Sequence, residues 1–224
     1  MIDLSKMYEY FQPEKHREKI HIVGCGSVGS TVAENLARCG LTNFTLWDFD
    51  KVEEHNIVNQ MFYKDDVGKS KVEALADTLY RINPDIESEI NLKLDGWNGQ
   101  QLSGYVFLCV DNIDTRREIV KKHIDNPNVK FMTDFRTRLE DAQIYAADWS
   151  DYDEKQNLLN TMNFTQEEGM EETPVSACGI TLGVCPTVRV ICGFGVANFM
   201  NFCNGKGHKK MAVIDIYNFN IIAF

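Results

Sequence analysis

The amino-acid sequence predicts an α/β fold, a doubly wound, Rossmann-like and mostly parallel sheet that ends in antiparallel strands. Three observations in the 224 residues predict it. Strand patterns alternate with helical patterns up to residue 132, which is typical of a parallel sheet covered on both faces. A glycine-rich turn joins the first strand to the first helix. The C-terminal stretch MAVIDIYNFNIIAF has the pattern of two strands joined at 218–220.

The first two elements come from the segment IHIVGCGSVGS, residues 20–30. Its first four residues are mostly apolar and partly β-branched, which predicts a buried strand over 20–23. The next apolar residues recur at helical spacing: Val28, Val32 and Leu36. Three glycines lie between the two patterns: Gly24, Gly26 and Gly29. In G-x-G-x-x-G the first glycine allows a tight turn, the second admits a phosphate, and the third packs the helix on the strand. Free N–H groups at the helix start then face the anion.

The later elements are predicted from the same periodicities. Apolar runs and alternating patterns predict five strands before the C-terminal pair: 44–47, 89–94, 105–110, 129–132 and 142–150. Apolar residues at helical spacing predict three more helices: 69–82, 115–124 and 186–204. The acidic stretch 150–174 has few aliphatic residues, so we expect a mobile loop or a short helix on the surface there.

Composition excludes several classes of protein. A net charge of −10 argues against a large nucleic-acid interface. No segment has about 18 uncharged apolar residues, so we expect no membrane span. The N-terminus lacks the apolar core of a secretory signal. The seven cysteines are odd in number and contain no C-x-x-C pair, which predicts reduced thiols in a cytoplasm and no structural zinc.

Three longer motifs follow the glycine turn: LWDFDKVEEHNIVNQMF, DVGKSKVEALADTLYRINP and CVDNIDTRR. Together with the turn they resemble the ThiF–MoeB–HesA family, the ubiquitin-activating-type adenylyltransferases, in its compact bacterial or phage-borne form. The resemblance is close over 20–112 and looser over 130–204. It implies a single ThiF-type nucleotide-binding domain over 1–224. Its parts would be an N-terminal segment, an ATP-binding half, and a crossover loop with closing helix and C-terminal strands: 1–19, 20–132 and 133–224.

The resemblance implies an ATP site built from strand ends and the glycine turn. Asp48, at the end of the second strand, would accept the ribose hydroxyl protons, and Asp50 would position the loop. Lys71 would neutralise the α- and β-phosphates, and Asp111 would hold Mg²⁺. The resemblance places further residues at the nucleotide: Gly24, Gly26, Ser27, Gly29, Asn56, Gln60 and Asn112. An arginine donated across a homodimer would be Arg17.

These assignments have structural alternatives. Asp48 could be a helix N-cap or a solvated turn acid, Lys71 an exposed lysine of a first helical turn, and Asp111 the cap of the next helix. The alternatives need no ligand, so only the spatial arrangement of these side chains decides between them.

One position departs from the family pattern. The family has arginine in the motif N-L-x-R-Q, whereas this chain has NIVNQ, with Asn59 at the arginine position. That arginine contacts the outer phosphates and stabilises charge on the departing pyrophosphate, so its absence predicts chemistry that is either rearranged or lost. Lys64, Lys69 or an arginine from another chain are candidates to replace it.

Two further features concern the partner. Cys178 lies in the loop before the closing helix, where family members that form a thioester or a persulfide keep a cysteine. With seven cysteines in the chain, a chance alignment is the alternative. Arg136 and Arg138 could meet a carboxylate tail or could be ordinary surface arginines.

Three functions are compatible with these residues. The first is ATP- and Mg²⁺-dependent adenylation of the C-terminal carboxylate of a small ubiquitin-like or sulfur-carrier protein. The second is a nucleotide-binding scaffold or sensor that has lost turnover, which Asn59 supports. The third is an NAD-dependent oxidoreductase, which the glycine turn and Asp48 would fit. A hydride-transfer site does not require Lys71 and Asp111, which favours the first function.

The closing helix predicts a homodimer. Residues 186–202 carry more apolar side chains than one buried stripe accommodates, so some must face the sheet of the same chain or a second subunit. A homodimer with two equivalent sites would bury them and bring Arg17 toward the phosphates of the partner subunit. The alternative is a helix that its own chain covers completely, with the C-terminal hairpin on one side.

Overall fold

One continuous sheet forms the centre of the computed structural model, which describes residues 2–171, 175–177 and 182–224. The described strands are β1 (Ile20–Val23), β2 (Phe44–Trp47), β3 (Asn91–Lys93), β4 (Gly104–Leu108), β5 (Val129–Thr137), β6 (Asp141–Asp148), β7 (Met211–Asp215) and β8 (Asn220–Ala223). The described α-helices are α1 (Ser27–Arg38), α2 (Lys71–Ile82), α3 (Ile113–His123), α4 (Tyr152–Asn160), α5 (Gln166–Glu171) and α6 (Cys185–Cys203).

The strand order β3-β2-β1-β4-β5-β6-β7-β8 confirms the predicted fold class. β1 pairs in parallel with β2 and β4, and the parallel part extends to β3 on one side and β5 on the other. The pairings β5–β6, β6–β7 and β7–β8 are antiparallel. Short turns connect β5 to β6 and β7 to β8, and such turns are possible only between antiparallel neighbours.

Helices cover both faces of the parallel part of the sheet. Along β4, Tyr105 and Phe107 pack in one core with residues of α1, α2 and α6. Val106 and Leu108 pack in a second core with residues of α3 and α4. All four side chains are buried. Burial on both faces explains why the run YVFLCV is continuously apolar instead of alternating.

Two helices occupy most of the acidic stretch 150–174, for which we expected a mobile loop or a short helix. Asp151 caps α4 by accepting the backbone N–H of Glu154 at 3.1 Å. Leu158 and Met162 are buried in the core beneath α3. The helical alternative is therefore right, because one cap and a few well-placed apolar residues are sufficient to dock a polar helix. Residues 172–174 lie outside the described part.

Two strands differ most in length from their prediction. β5 was expected over 129–132 but continues to Thr137, because its second half pairs with β6. β3 was expected over 89–94 but spans only Asn91–Lys93 at the edge of the sheet, where its side chains are largely exposed. Pairing with a neighbouring strand decides both lengths, and the periodicity of one segment does not contain that information.

The closing helix α6 packs against α1 and against β5 and β6. The apolar side chains that it buries within its own chain are Val188, Ile191, Val196, Phe199 and Met200. Gly195 allows this close packing, because a Cβ atom there would lie 2.2 Å from the Phe135 ring. Phe194 is 41% exposed, so one side of the helix stays uncovered in a single chain. Within the described parts of the chain, no helix has the length and apolarity needed to cross a membrane.

Candidate nucleotide-binding site

The candidate site lies at the carboxyl ends of β1, β2 and β4. The chain leaves β1 toward β2 on one side, and it later returns to place β4 on the other side. This reversal of strand order opens a crevice where doubly wound proteins bind their ligands. Backbone hydrogen bonds hold the three strand ends together, because Gly24 N–H donates to Trp47 O at 2.8 Å and Cys109 N–H donates to Val23 O at 2.8 Å.

The three glycines of the turn differ in what a side chain at each position would contact. Gly24 has a φ of +92°, and a Cβ atom there would lie 2.7 Å from the backbone nitrogen of Val110. A Cβ atom on Gly29 would lie 1.8 Å from the carbonyl oxygen of Gly24, so helix α1 could not approach its own turn. A Cβ atom on Gly26 would meet nothing within 4 Å. The surrounding protein leaves room for a side chain at position 26. A phosphate that approached the start of α1 would occupy that room, and its binding would then require glycine there.

Asp48 binds the glycine turn. Its carboxylate accepts the backbone N–H of Cys25 at 2.6 Å and that of Asp50 at 2.8 Å. Burial raises the pKa of the Asp48 carboxyl, although these two hydrogen bonds and the nearby Lys71 ammonium act in the opposite direction. Asp48 therefore is not a helix cap. It fixes the turn that follows β1 and the loop that follows β2.

Lys71 is the first residue of α2, and it is buried. Its Nζ lies 2.8 Å from a carboxylate oxygen of Asp50, and its backbone N–H donates to Asp50 O at 2.9 Å. The alternative of an exposed first-turn lysine is wrong. The predicted role of Asp50 in positioning the loop agrees with these contacts, and the Lys71 ammonium is held close enough to lower the pKa of Asp48.

Asp111 and Asn112 follow β4, and their side chains differ in what they contact. Asn112 caps α3 by accepting the backbone N–H of Thr115 at 2.8 Å. Asp111 is exposed, and within the described residues its carboxylate makes no hydrogen bond and no ion pair. The cap of α3 is therefore Asn112 and not Asp111. An exposed carboxylate that has no partner among the described residues is the kind of oxygen ligand that Mg²⁺ prefers.

No cluster of three or more His, Cys, Asp or Glu side chains that could hold a metal is found in the described parts of the chain.

Residues 53–62, which we call the strap, run from the end of β2 across the first turns of α1. The backbone N–H of Met61 donates to the Ser30 hydroxyl at 3.1 Å and fixes the strap on α1. Asn56 is buried and accepts the backbone N–H of Glu53 at 2.9 Å, so its amide oxygen shapes the strap. The amide oxygen of Gln60 is buried and has no hydrogen-bond partner among the residues that the structure describes. An unpartnered buried oxygen is costly, so Gln60 remains a candidate for a ligand contact.

Some predicted residues are placed differently. Arg17 is exposed before β1, where its backbone oxygen accepts the Asn43 side chain, at the end of the sheet opposite to the glycine turn. It therefore does not reach the site of its own chain. Cys178 lies outside the described residues. Arg136 contacts Asp134 and the Thr161 carbonyl oxygen, so it is engaged within the chain.

The buried ion pairs that Asp134 forms on β5, the strand next to β4, were not predicted from the sequence. Asp134 is completely buried and accepts Arg116 Nη1 at 2.7 Å and Arg136 Nε at 2.8 Å. Arg116 Nε also donates to Val110 O at 2.7 Å and so anchors the residue before Asp111. The signal was present in VKFMTDFRT, since an acid inside an apolar strand needs a buried partner.

Comparison with known proteins gives both family and fold. The model of the ThiF family matches residues 2–223. Ubiquitin-like modifier-activating enzyme 5 of Caenorhabditis briggsae is 41% identical over an alignment of 123 residues, and the match covers 47% of this chain and 28% of that protein. The Caenorhabditis elegans protein of the same name is 38% identical over an alignment of 136 residues, and the match covers 53% of this chain and 32% of that protein. This chain thus matches about a third of the length of these curated relatives.

Solved structures show the same fold. PaaA has a TM-score of 0.75 at 19% identity, and the likeness covers 97% of this chain and 75% of that one. Escherichia coli MccB crystallised with ATP has a TM-score of 0.72 at 19% identity, and the likeness covers 95% of this chain and 65% of that one. MccB has also been crystallised with MccA, with a TM-score of 0.75 and the same identity.

Proposed function

The chain belongs to the ThiF family, and on that premise we propose that it uses ATP to adenylate the C-terminal carboxylate of a small partner protein. The observation that carries the proposal is the convergence of Asp48, Lys71 and Asp111 with the glycine turn at one edge of the sheet. A carboxylate for ribose, an ammonium for phosphate and a free carboxylate for a cation are the groups that ATP requires.

The site would bind ATP along the crevice. The lone pairs that Asp48 does not use for the turn would accept the two ribose hydroxyls. The phosphates would lie over Gly26, where the chain leaves open space, and face the free N–H groups at the start of α1. Lys71 would reach the α- and β-phosphates from the other side.

The chemical step needs little from the protein beyond position and charge. A carboxylate oxygen of the partner attacks the α-phosphorus, the bond from that phosphorus to the bridging oxygen breaks, and pyrophosphate leaves with the electron pair. No proton is transferred, because a carboxylate is already a nucleophile. Lys71 would stabilise the negative charge that develops on the phosphates. Asp111 would hold Mg²⁺, which supplies further neutralisation of that charge when it is bound.

The partner would be a small ubiquitin-like or sulfur-carrier protein. Two observations support this class: the curated relatives are named ubiquitin-like modifier-activating enzymes, and MccB has been crystallised with MccA. Such partners present a flexible C-terminal tail, and the crevice at the strand ends is open to solvent beside Asp111.

A homodimer remains part of the proposal. Exposed Phe194 on α6, flanked by exposed Gly193 and Ala197, gives this helix an apolar side that a second copy would cover. Arg17 could then act in the site of the partner subunit. Light scattering decides the point, since a mass of twice 25.6 kDa supports the dimer and a mass of 25.6 kDa contradicts it.

Calorimetric titration with ATP and with NAD, both in the presence of Mg²⁺, tests the proposed ligand. We expect ATP to bind and NAD to bind more weakly, because an ammonium and a free carboxylate serve a triphosphate with its cation. If ATP does not bind, the proposal fails. If NAD binds more tightly than ATP, an oxidoreductase is the better interpretation.

A further inference from the structure

The strap lacks a cation at the position where the family has its arginine. Asn59 is neutral, and its amide nitrogen donates to Gly183 O at 3.2 Å. Asn59 thus ties the strap to the segment before α6 and offers no positive charge to a phosphate. If the chain carries out adenylation, another cation must meet the outer phosphates.

Lys64 and Lys69, the two lysines considered as replacements, each pair with carboxylates. Lys64 pairs with Glu54. Lys69 pairs with Asp66 at 2.9 Å and with Asp77 at 3.6 Å. Among the described residues, neither ammonium contacts the glycine turn or α1, so neither is held where the outer phosphates would lie.

Arg189 lies where the strap, α1 and α6 meet. Arg189 lies near the start of α6, six residues after Gly183 in the chain. Its Nη1 donates to the Thr31 hydroxyl at 3.1 Å and contacts the Met61 sulfur in the strap. Thr31 in turn donates to Ser27 O at 2.8 Å, one helical turn into α1. The guanidinium therefore lies against the second turn of the helix whose start would face the phosphates.

The Arg189 guanidinium is available for a ligand. Among the described residues it has no carboxylate partner, and its only polar contacts are Thr31 and Met61. The side chain is partly exposed. A guanidinium has five N–H donors in a planar fork, and both contacts made here involve Nη1. The remaining donors suit the oxygens of a phosphate, which arginine binds in a bidentate manner.

We propose that Arg189 supplies the guanidinium for the outer phosphates of ATP that position 59 no longer provides. The inference rests on the proposed function and specifies how that site is completed from α6. Lys71 binds the inner phosphates from the side of α2, while Arg189 binds the β- and γ-phosphates from the side of α6. Arg189 is then needed for ATP and not for AMP, because AMP has no outer phosphates.

The test compares ATP with AMP by calorimetry in wild type and in three variants. Arg189→Met keeps the length and packing of the side chain without charge, Arg189→Lys keeps the charge without the fork, and Lys64→Met removes a cation that is already paired. We expect Arg189→Met to weaken ATP binding on the order of tenfold to a hundredfold and AMP binding by less than about twofold. Arg189→Lys should weaken ATP binding by a smaller factor and leave AMP binding unchanged. Lys64→Met should change neither affinity.

Thermal unfolding establishes that the variants fold. Should Arg189→Met not fold, the ratio of ATP to AMP affinity in Arg189→Lys decides, since an ATP-selective loss supports the inference and an unchanged ratio overturns it. An equal loss for both nucleotides in Arg189→Met assigns Arg189 a structural role and also overturns it. If the wild type binds neither ATP nor AMP, the proposed function itself fails. If the wild type binds both and the Arg189 variants leave the ratio of ATP to AMP affinity unchanged, only the inference about Arg189 fails.

Discussion

Lys71 and Asp50 contact each other twice. The Lys71 ammonium lies 2.8 Å from the Asp50 carboxylate, and the Lys71 backbone N–H donates to the Asp50 carbonyl oxygen at 2.9 Å. The Lys71 side chain is 10% exposed, whereas that of Asp50 is 51% exposed. The loop after β2 and the start of α2 are thereby joined, and the ammonium is held where its charge favours the ionised form of Asp48.

Removal of the Lys71 charge should weaken nucleotide binding without unfolding the protein. We expect Lys71→Met to reduce ATP affinity by about tenfold to a hundredfold, because the phosphates lose a charge-assisted contact. Lys69→Met is the matched control, since Lys69 is already paired with Asp66 and Asp77. Calorimetry measures both. A Lys71→Met protein that binds ATP as wild type does would exclude Lys71 from the site.

Two glycines of the turn should separate folding from binding. We expect Gly29→Ala to lower Tm by about 5–10 °C, because its Cβ atom would lie 1.8 Å from Gly24 O. Gly26→Ala has open space around its Cβ atom, so Tm should change by less than about 2 °C. ATP affinity should nevertheless fall by at least about tenfold in Gly26→Ala, because the methyl group occupies the place of a phosphate oxygen. Thermal unfolding and calorimetry on the same samples provide both values, and unchanged ATP affinity in Gly26→Ala would contradict the assigned phosphate position.

Asp111 should determine the effect of Mg²⁺ on binding. In wild type we expect Mg²⁺ to increase ATP affinity, and in Asp111→Asn this increase should be lost while affinity in a chelator stays the same. Asp114→Asn is the control, because Asp114 is an exposed carboxylate that pairs with Arg117 in α3. The measurement is ATP titration with MgCl₂ and with EDTA. If the Mg²⁺ effect persists in full in Asp111→Asn, another residue holds the cation.

His21 should make stability depend on pH. Burial lowers its pKa from 6.5 to about 3, and its Nδ1 accepts the Trp47 indole N–H at 3.0 Å. Between these two pKa values the unfolded chain binds a proton that the folded chain does not, so the free energy of unfolding decreases as the pH falls. From pH 7 to pH 5 we expect His21 to contribute a loss of about 2 kcal/mol.

Denaturant unfolding of wild type and His21→Gln at both pH values measures this contribution. The difference between the two pH values should be smaller in the variant, because glutamine does not titrate. Equal differences in both proteins would show that His21 is not the group responsible.

The fold was largely predictable because its central strands are buried on both faces. Apolar runs, interrupted by His21 in β1 and by Thr45 in β2, mark β1, β2 and β4, and helical spacing marks α1, α2 and α6. The extension of β5 to Thr137 was not predictable, because Arg136 and Thr137 enter the sheet only by pairing with β6. The helices within 150–174 depend on Leu158 and Met162 reaching a distant core.

The part of the candidate site that lies directly after strands was predictable from the sequence. The carboxyl ends of parallel strands share one edge, so Asp48, Asp50 and Asp111 could be assigned to that edge from their position after apolar runs. The contact between Arg189 and Thr31 joins residues 158 positions apart and depends on how α6 packs on α1. No local pattern contains that information. The Arg116–Asp134 pair likewise forms only when α3 is docked on β5.

The most direct test of carboxylate adenylation uses a stable analogue of its product. In glycylglycyl-sulfamoyl-adenosine a sulfamate replaces the phosphate of the acyl-adenylate that a Gly-Gly tail would form. An adenylating site is complementary to the joined acyl and nucleotide groups, so calorimetry should show that this compound binds at least about tenfold more tightly than AMP. Affinity equal to or weaker than that of AMP would contradict adenylation and would favour a nucleotide sensor without turnover.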